Sequence, residues 1–331
     1  MTYSLSVLDK SPVEPDAIAT DALKTTVALA TRAEALGYKR FWLAEHHNIP
    51  ALASSAPETL IAYLLAKTSH IRIGSGGVML QHYSPYKVAE TFNLLASLAP
   101  GRVDLGVGKA PGGFPHATRA LRTGQADAPP RDFEKQIEDL NRYLLTDAAA
   151  ANELLATPVP TIPAERFLLG ASAASAKLAA AKGWTLVFAG HLNGDQQNLQ
   201  ETFDVYRRET GGKTPILALA AFAAEQEDLA KSRVADIKIF KVILSNGVSV
   251  NVGNPEQATE FARQSGVADY RIEEKTPHVL AGTGEQVRKE LDTLHADLGV
   301  SEFIIDIPVP QAALRLNAIE LIAASRLSLA A

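Results

Sequence analysis

There is no cysteine in the 331 residues, and that absence excludes disulfides, thiolate metal sites and cysteine nucleophiles together. No uninterrupted apolar run approaches the ~20 residues of a membrane helix, so no membrane partner is expected. The opening MTYSLSVLDKSP enters a strand pattern directly and lacks the charged start and long apolar stretch of a signal peptide, so the expectation is a cytoplasmic protein. Neither sign of charge dominates. The net charge is −5, with no basic block or stripe, which argues against nucleic acid as a partner. No GxGxxG follows the first strand, and there is no P-loop, HExxH or GxSxG, so the common nucleotide, zinc and serine-nucleophile signatures are missing.

What is present is an ordinary globular composition, 47% apolar and 21% charged, at a length that α/β barrels routinely reach undivided. Strand patterns fall at 3–8, 40–44, 71–80, 102–107, 166–169, 185–189, 215–222 and 302–306. Helical patterns run from about Thr20 to Leu36, Pro57 to Ser69 and Ser84 to Ala99, then near 132–145, 172–182, 196–209, 284–298 and 311–327. Strands alternating with helices at short spacing mean βαβ units and a parallel sheet, and eight of them predict a (β/α)8 barrel. The chain is expected to form a single domain over 1–331, with two interruptions. Residues 110–131, rich in Pro, Gly and Ala, predict a mobile loop over the barrel mouth, and 236–281 predict an insertion between the seventh and eighth strands with a helix at 255–264.

Active sites of such barrels lie at the C-terminal strand ends. Here those ends carry Asp9, Glu45-His46-His47, Gly76-Gly77, Gly108-Lys109, Gly170, Gly190-His191 and Asp306. Within IRIGSGGVML, glycines interrupt a strand that otherwise favours packing side chains. Gly76-Gly77 therefore reads either as a bulge or tight strand end, or as backbone lying so close to something flat that a Cβ would intrude. Glu45-His46-His47 is a poor metal site, since neighbouring histidines on a strand point opposite ways and no third ligand is evident. Two readings remain: a buried, hydrogen-bonded histidine beside a loop-capping one, or a histidine that moves protons near neutral pH. The turn at Gly170, Ala171 and Ser172 into a small-residue helix offers N–H groups for a phosphate, with Ser172 or Ser175 adding a hydroxyl, although Ser172 also serves as an ordinary N-cap. Lys109 is either a cation answering that phosphate across the mouth or a solvated surface lysine.

Taken together and in order, FWLAEHHN, IRIGSGGVML and HYSPYKVAETFNLLASLAPGRVDLGVGKAPGG resemble the bacterial luciferase-like flavin-dependent monooxygenase family, and most closely its FMN-using, alkanal-monooxygenase-like branch. The resemblance is strong over 1–113, fair over 165–190, and thin afterwards apart from AGTGEQVRKELDTL and EFIID. It implies a cis peptide at Gly76-Gly77 beneath the flavin ring and an active-site histidine at His46. It also implies a phosphate grip at Gly108, Lys109, Gly170, Ala171, Ser172 and Ser175. The gripping basic residue is typically arginine in the family. Lys109 keeps the charge and loses the bidentate fork.

The resemblance further implies a two-component FMN-dependent monooxygenase. A separate flavin reductase would supply reduced FMN, and O2 would oxygenate a small organic substrate through a peroxyflavin. Asp9 and His82 are candidate pocket residues. A homodimer through the helices at 57–69 and 84–99 is expected from the family. The alternatives are an F420-dependent oxidoreductase on the same barrel, or a flavin-binding protein without turnover.

Overall fold

Strand follows helix at short spacing in the computed structural model, which describes residues 3–123, 131–145, 154–190 and 195–325. The first four units are β1 (Ser4–Asp9), α1 (Ala19–Ala35), β2 (Arg40–Leu43), α2 (Pro57–Lys67), β3 (Arg72–Met79), α3 (Pro85–Leu98) and β4 (Val103–Gly108) with α4 (Pro115–Leu121) and α5 (Phe133–Tyr143). Then come β5 (Glu165–Gly170), α6 (Ala173–Ala181), β6 (Thr185–Ala189), α7 (Gln196–Thr210), β7 (Ile216–Ala223) and α8 (Glu227–Val234). The interrupting stretch holds β8 (Ile239–Leu244), β9 (Ser249–Val252), α9 (Pro255–Ser265), β10 (Tyr270–Lys275) and β11 (Val279–Gly282), before α10 (Gly284–Leu298), β12 (Glu302–Asp306) and α11 (Ala312–Ala324).

Eight parallel strands close the barrel in the order β1 through β7, then β12 back onto β1. The (β/α)8 expectation therefore holds, and β11 is a ninth strand that lies parallel to the outer half of β7, pairing Val279 to Gly282 with Ala220 to Ala223. Between β7 and β11 the chain builds a separate antiparallel sheet in the order β10-β8-β9. Val242, Leu244, Val252 and Phe261 pack there around Phe114, which arrives from the segment leading into α4. Residues 124–130, within the stretch expected to be a mobile loop, lie outside the described residues, as does His191.

Period-two alternation sorts the strand side chains into two layers. Leu5, Val7, Phe41, Leu43, Ile73, Leu105 and Val107 face the helices in the main core. Their neighbours Leu8, Trp42, Ala44, Phe167, Val187, Ile216, Ala218 and Ile304 form an apolar cluster inside the barrel. At the N-terminal end of the barrel sits a charged plug. Arg40, 4% exposed, meets Asp104 at 2.9 Å and Glu302 at 2.7 Å, while Arg72 also reaches Asp104 at 2.6 Å. Burial pushes the Glu302 carboxyl up, but the Arg40 charge and hydrogen bonds from Arg40, Lys39 and Ser6 outweigh it and hold the group below the usual carboxylate range.

Candidate active site

At the other end of the barrel the loops after β2, β3 and β4 are stitched together. The hub is Glu45, which follows β2 and is fully buried. Its Oε1 accepts from Tyr83 Oη at 2.7 Å and contacts His47 Nε2 at 2.7 Å, while its Oε2 accepts from the Met79 backbone N–H at 3.0 Å. Since a carboxylate can only accept, the His47 proton sits on Nε2. Burial first, then the Glu45 charge and hydrogen bond, raise the Tyr83 phenol well above its ordinary value, so it remains a donor. The His46 backbone N–H donates to Ser54 O at 2.8 Å, and that of His47 to Gly112 O at 2.8 Å. Gly112 has φ +63°, and a Cβ there would sit 2.9 Å from Glu45 O, so only glycine lets the two loops approach this closely.

His82 lies on the single 3-10 turn after β3, 5% exposed, with Nε2 2.7 Å from Pro111 O. Because a carbonyl only accepts, Nε2 carries the proton. Burial, the largest influence, lowers the His82 pKa and favours the neutral ring. The His82 ring meets those of His47 and Tyr83 edge-on, with centroids 6.0 and 6.1 Å away. His46 is half-buried one residue from this network.

Gly76 and Gly77 lie within β3 rather than at its end. The peptide bond between them is cis, and the pairing with β4 shifts register between Ser75 and Val78. The reason for glycine here is the protein's own packing. A Cβ on Gly76 would come within 2.7 Å of Leu8 Cδ1 and 3.1 Å of Trp42 Cε3, and one on Gly77 within 2.8 Å of Gly106 O. A Cβ on Gly170 would likewise strike Ser175. Gly108 differs, since a Cβ there would meet only Met79 Cε, at 3.8 Å.

Lys109 is exposed at the end of β4, and its carbonyl accepts from Gln81 Nε2. Strand β5 is the direct neighbour of β4, so Lys109 and Gly170 stand at adjacent strand ends rather than across the mouth. Ser172 caps α6, its Oγ accepting from Ser175 N at 3.2 Å and lying 3.1 Å from Ser175 Oγ, and Ala171 O accepts from Asn198 Nδ2 at 2.8 Å. Asp9 is fully buried and turned toward the helix layer, where it accepts from Ser11 N at 2.9 Å, from Thr26 Oγ1 at 2.6 Å and from Arg315 Nη2. It supports the rim from behind and lines no open space.

Several residues at this rim carried no signal in the sequence. Tyr83 is one, and so are two arginines from the 110–131 stretch, while Glu45 stood out only as a strand-end residue with no role. Arg122 Nη2 donates to Gln81 Oε1 at 2.8 Å, and Arg131 Nη1 to Tyr83 O at 2.5 Å. Burial first, and the Arg131 charge second, lower the Arg122 pKa. Among the described residues no group of three or more His, Cys, Asp or Glu is placed to hold a metal ion, and no helix is long and apolar enough to cross a membrane.

A closed parallel barrel with titratable and glycine residues gathered at the C-terminal strand ends is the architecture of a barrel enzyme. Comparison with known proteins makes this specific. The sequence pattern of luciferase-like monooxygenases matches residues 1–302. The N-acetyl-S-alkylcysteine monooxygenase of Bacillus subtilis (strain 168) is 42% identical, with 93% of each chain covered. The crystal structure of apo-MsnO8 superposes with a TM-score of 0.80 at 30% identity, covering 98% of both chains. The chain belongs to the luciferase-like monooxygenase family and is an enzyme, an oxidoreductase. More distant barrels, each 17% identical, share only the fold. One is the oxygenating constituent of a Pseudomonas putida 3,6-diketocamphane monooxygenase in complex with FMN (TM-score 0.69), and another is an F420-dependent secondary alcohol dehydrogenase (TM-score 0.65).

Proposed function

We propose that this chain is the oxygenating component of a two-component FMN-dependent monooxygenase in the cytoplasm. It would take reduced FMN from a separate flavin reductase and use O2 to oxygenate a small organic substrate. The observation that carries the proposal is the bare backbone at Gly108. Of the four glycines expected to meet a cofactor, it alone has space that no neighbouring protein atom requires. Exposed Lys109 adjoins it, and one strand over lies the start of α6, where helix geometry leaves the Ala173 and Ala174 N–H groups without intrahelical partners. The Ser172 and Ser175 hydroxyls share one hydrogen bond and so retain one O–H donor between them. A cation, bare backbone and a helix N-terminus fit the phosphate of FMN in chemistry and charge.

Bound FMN supplies the redox chemistry with oxygen, and the protein holds it, orients it and keeps water away. Gly76 and Gly77 are the proposed ledge beneath the ring. His46 is the proposed proton-handling residue, since imidazole exchanges protons near neutral pH. Glu45 fixes the loop on which His46 stands by holding Tyr83 and the end of β3, and the neutral His82 is proposed as pocket wall. The name of the 42%-identical relative supports a thioether, an N-acylated S-alkylcysteine, as the substrate class. Exposed Tyr63 on α2 with Leu94 and Leu98 on α3 supports a homodimer through these helices.

Anaerobic titration with reduced FMN, followed by mixing with oxygen, tests the proposal. Saturable binding and a long-lived absorbing species distinct from oxidised FMN are expected. No binding, or immediate return to oxidised FMN, would sink it. In that event F420-dependent hydride transfer, which the shared barrel of the alcohol dehydrogenase accommodates, becomes the reading to pursue.

A further inference from the structure

Beside this rim the described residues bound a cavity of about 300 Å³, between the segments that follow β1, β2 and β12. Its backbone offers few hydrogen-bond donors. Pro12, Pro15, Pro308 and Pro310 all line it, and proline has no N–H to give. The ions at its edge are answered within the protein, Lys10 by Asp306 at 2.7 Å and Arg315 by fully buried Asp9. Val13, Leu52 and Val309 supply apolar side chains. The segments after β1 and β2 are joined main chain to main chain, since Val13 N–H donates to Ala51 O at 2.8 Å and Pro12 bridges to Leu52. This seam and the fixed φ angles of the prolines hold the walls apart, so the space is formed before anything enters it.

A wall whose ions are paired and whose backbone is poor in donors selects an uncharged, apolar group. An anion or an amine would give up its hydration there without a free partner in return. The volume lies at the small end of ligand pockets, about 300–1,000 Å³, and suits one short arm rather than a whole cofactor. Leu8 places the cavity relative to the site. That side chain lines the cavity and belongs to the apolar cluster inside the barrel, and its Cδ1 lies 2.7 Å from where a Cβ on Gly76 would be. Leu8 therefore touches the glycine ledge on one side and the cavity on the other. Around the barrel the strands run in the order β5, β4, β3, β2, β1, β12. The proposed phosphate seat lies at β4 and β5, the ledge on β3 and His46 after β2, and the cavity comes next on the same arc.

We propose that this cavity seats the alkyl arm of the substrate. With the thioether sulfur at Gly76-Gly77 and beside His46, an unbranched alkyl group passes Leu8 and lies against Val13, Leu52 and Val309, whose size sets the arm length accepted. The inference deepens the monooxygenase reading and rests on it for the identity of the arm, while binding of the arm needs no turnover.

The test is calorimetric titration of the full-length protein with N-acetyl-S-alkylcysteines from methyl to hexyl, anaerobically, with and without reduced FMN. Affinity is expected to rise about 4-fold per methylene, the worth of one buried CH2, and to level off once the cavity is full. Val13→Trp and Leu52→Trp fill the cavity from half-buried positions in two different loops, and each is expected to flatten the series at the affinity of the methyl compound. Val13→Ala opens the wall and is expected to carry the rise on to a longer arm. It keeps the proposal testable if neither Trp variant folds. Equal affinity along the series, no binding of any member in either state, a rise that survives both Trp variants, or an unchanged limit in Val13→Ala would overturn the proposal. Failure to bind FMN would instead sink the monooxygenase reading, and the series read without FMN would still report on the cavity.

Discussion

Glu45 offers a sharp test of how the rim is held, because two substitutions at one position should behave very differently. In Glu45→Ala, the buried Met79 N–H loses its acceptor, which costs about 1–3 kcal/mol. The Tyr83 and His47 bonds are only part-buried and add about 0.5–1.5 kcal/mol each. The expected loss is therefore about 2–6 kcal/mol, a large share of a typical domain's stability. In Glu45→Gln, the amide oxygen can keep Met79 while the amide nitrogen turns toward Tyr83 and His47. Both can reverse roles, since a phenol hydroxyl accepts as well as donates and a neutral imidazole can move its proton from Nε2 to Nδ1. The remaining loss is that of charge assistance, about 1 kcal/mol. Guanidinium unfolding, read as a midpoint shift at constant slope, measures both variants. Nitrogen-resolved NMR of the His47 ring should show the tautomer change in Glu45→Gln. An Ala variant within about 1 kcal/mol of the parent would refute the assigned role of the carboxylate. A Gln variant as damaged as the Ala variant would show that the partners cannot turn around.

Two further outcomes follow from packing and charge. Gly77→Ala should lower the melting temperature more than Gly76→Ala, because its new Cβ meets the fixed Gly106 carbonyl at 2.8 Å, whereas that of Gly76→Ala first meets the rotatable end of Leu8. Overpacking of this kind costs about 1–3 kcal/mol, and equal melting temperatures would contradict the assignment. The charged plug gives a pH signature. The folded-state pKa of Glu302 lies below the usual 4.5, so the stability it contributes is fully present above that value and is lost as pH falls through the depressed folded value. Arg40→Met takes the buried cation from between Asp104 and Glu302, which keep Arg72 and Lys39 as partners. It should cost about 1–3 kcal/mol at neutral pH and less in acid, where the Glu302 carboxyl can take up a proton. An unfolding midpoint for Arg40→Met that falls with acid as steeply as the parent's would refute this.

The barrel strands were legible because most are short, largely apolar runs followed by a polar or glycine-bearing turn. Their ends fell within a residue or two of the observed bounds. The elements that escaped are those whose stability comes from afar. Helix α4 is seven residues long and opens on Pro115 in a stretch that looks like pure loop, and its Phe114 finds a core only in the excursion after β7. Strand β10 of that excursion, Tyr270–Lys275, is mostly exposed and polar. Site positions at strand ends were readable from the architecture, but their bonding was not. Glu45 meets partners 34 and 38 residues away, and Asp9 meets Arg315 across 306 residues, separations at which no local pattern operates. At Gly76-Gly77 the sequence left bulge and ligand contact as rivals. The structure explains the glycines through Leu8, Trp42 and Gly106, side chains and backbone that only the closed barrel brings together.

The bond from His47 N–H to Gly112 O and the bridge between His47 and Gly113 also bear on how this enzyme can change over evolutionary time. The stretch after β4 varies in length and composition more freely than a strand can, and is where new substrates would be accommodated. Its first turn is nevertheless sewn to the histidine loop, main chain to main chain, so only a replacement at the seam glycines themselves, Gly112 or Gly113, can unpick it. Insertions beyond Phe114 leave the histidines where they are, whereas any change at 111–113 moves them. Innovation in substrate choice is thereby channelled to the part of the 110–131 stretch beyond Phe114, with the histidine loop insulated from it by three residues.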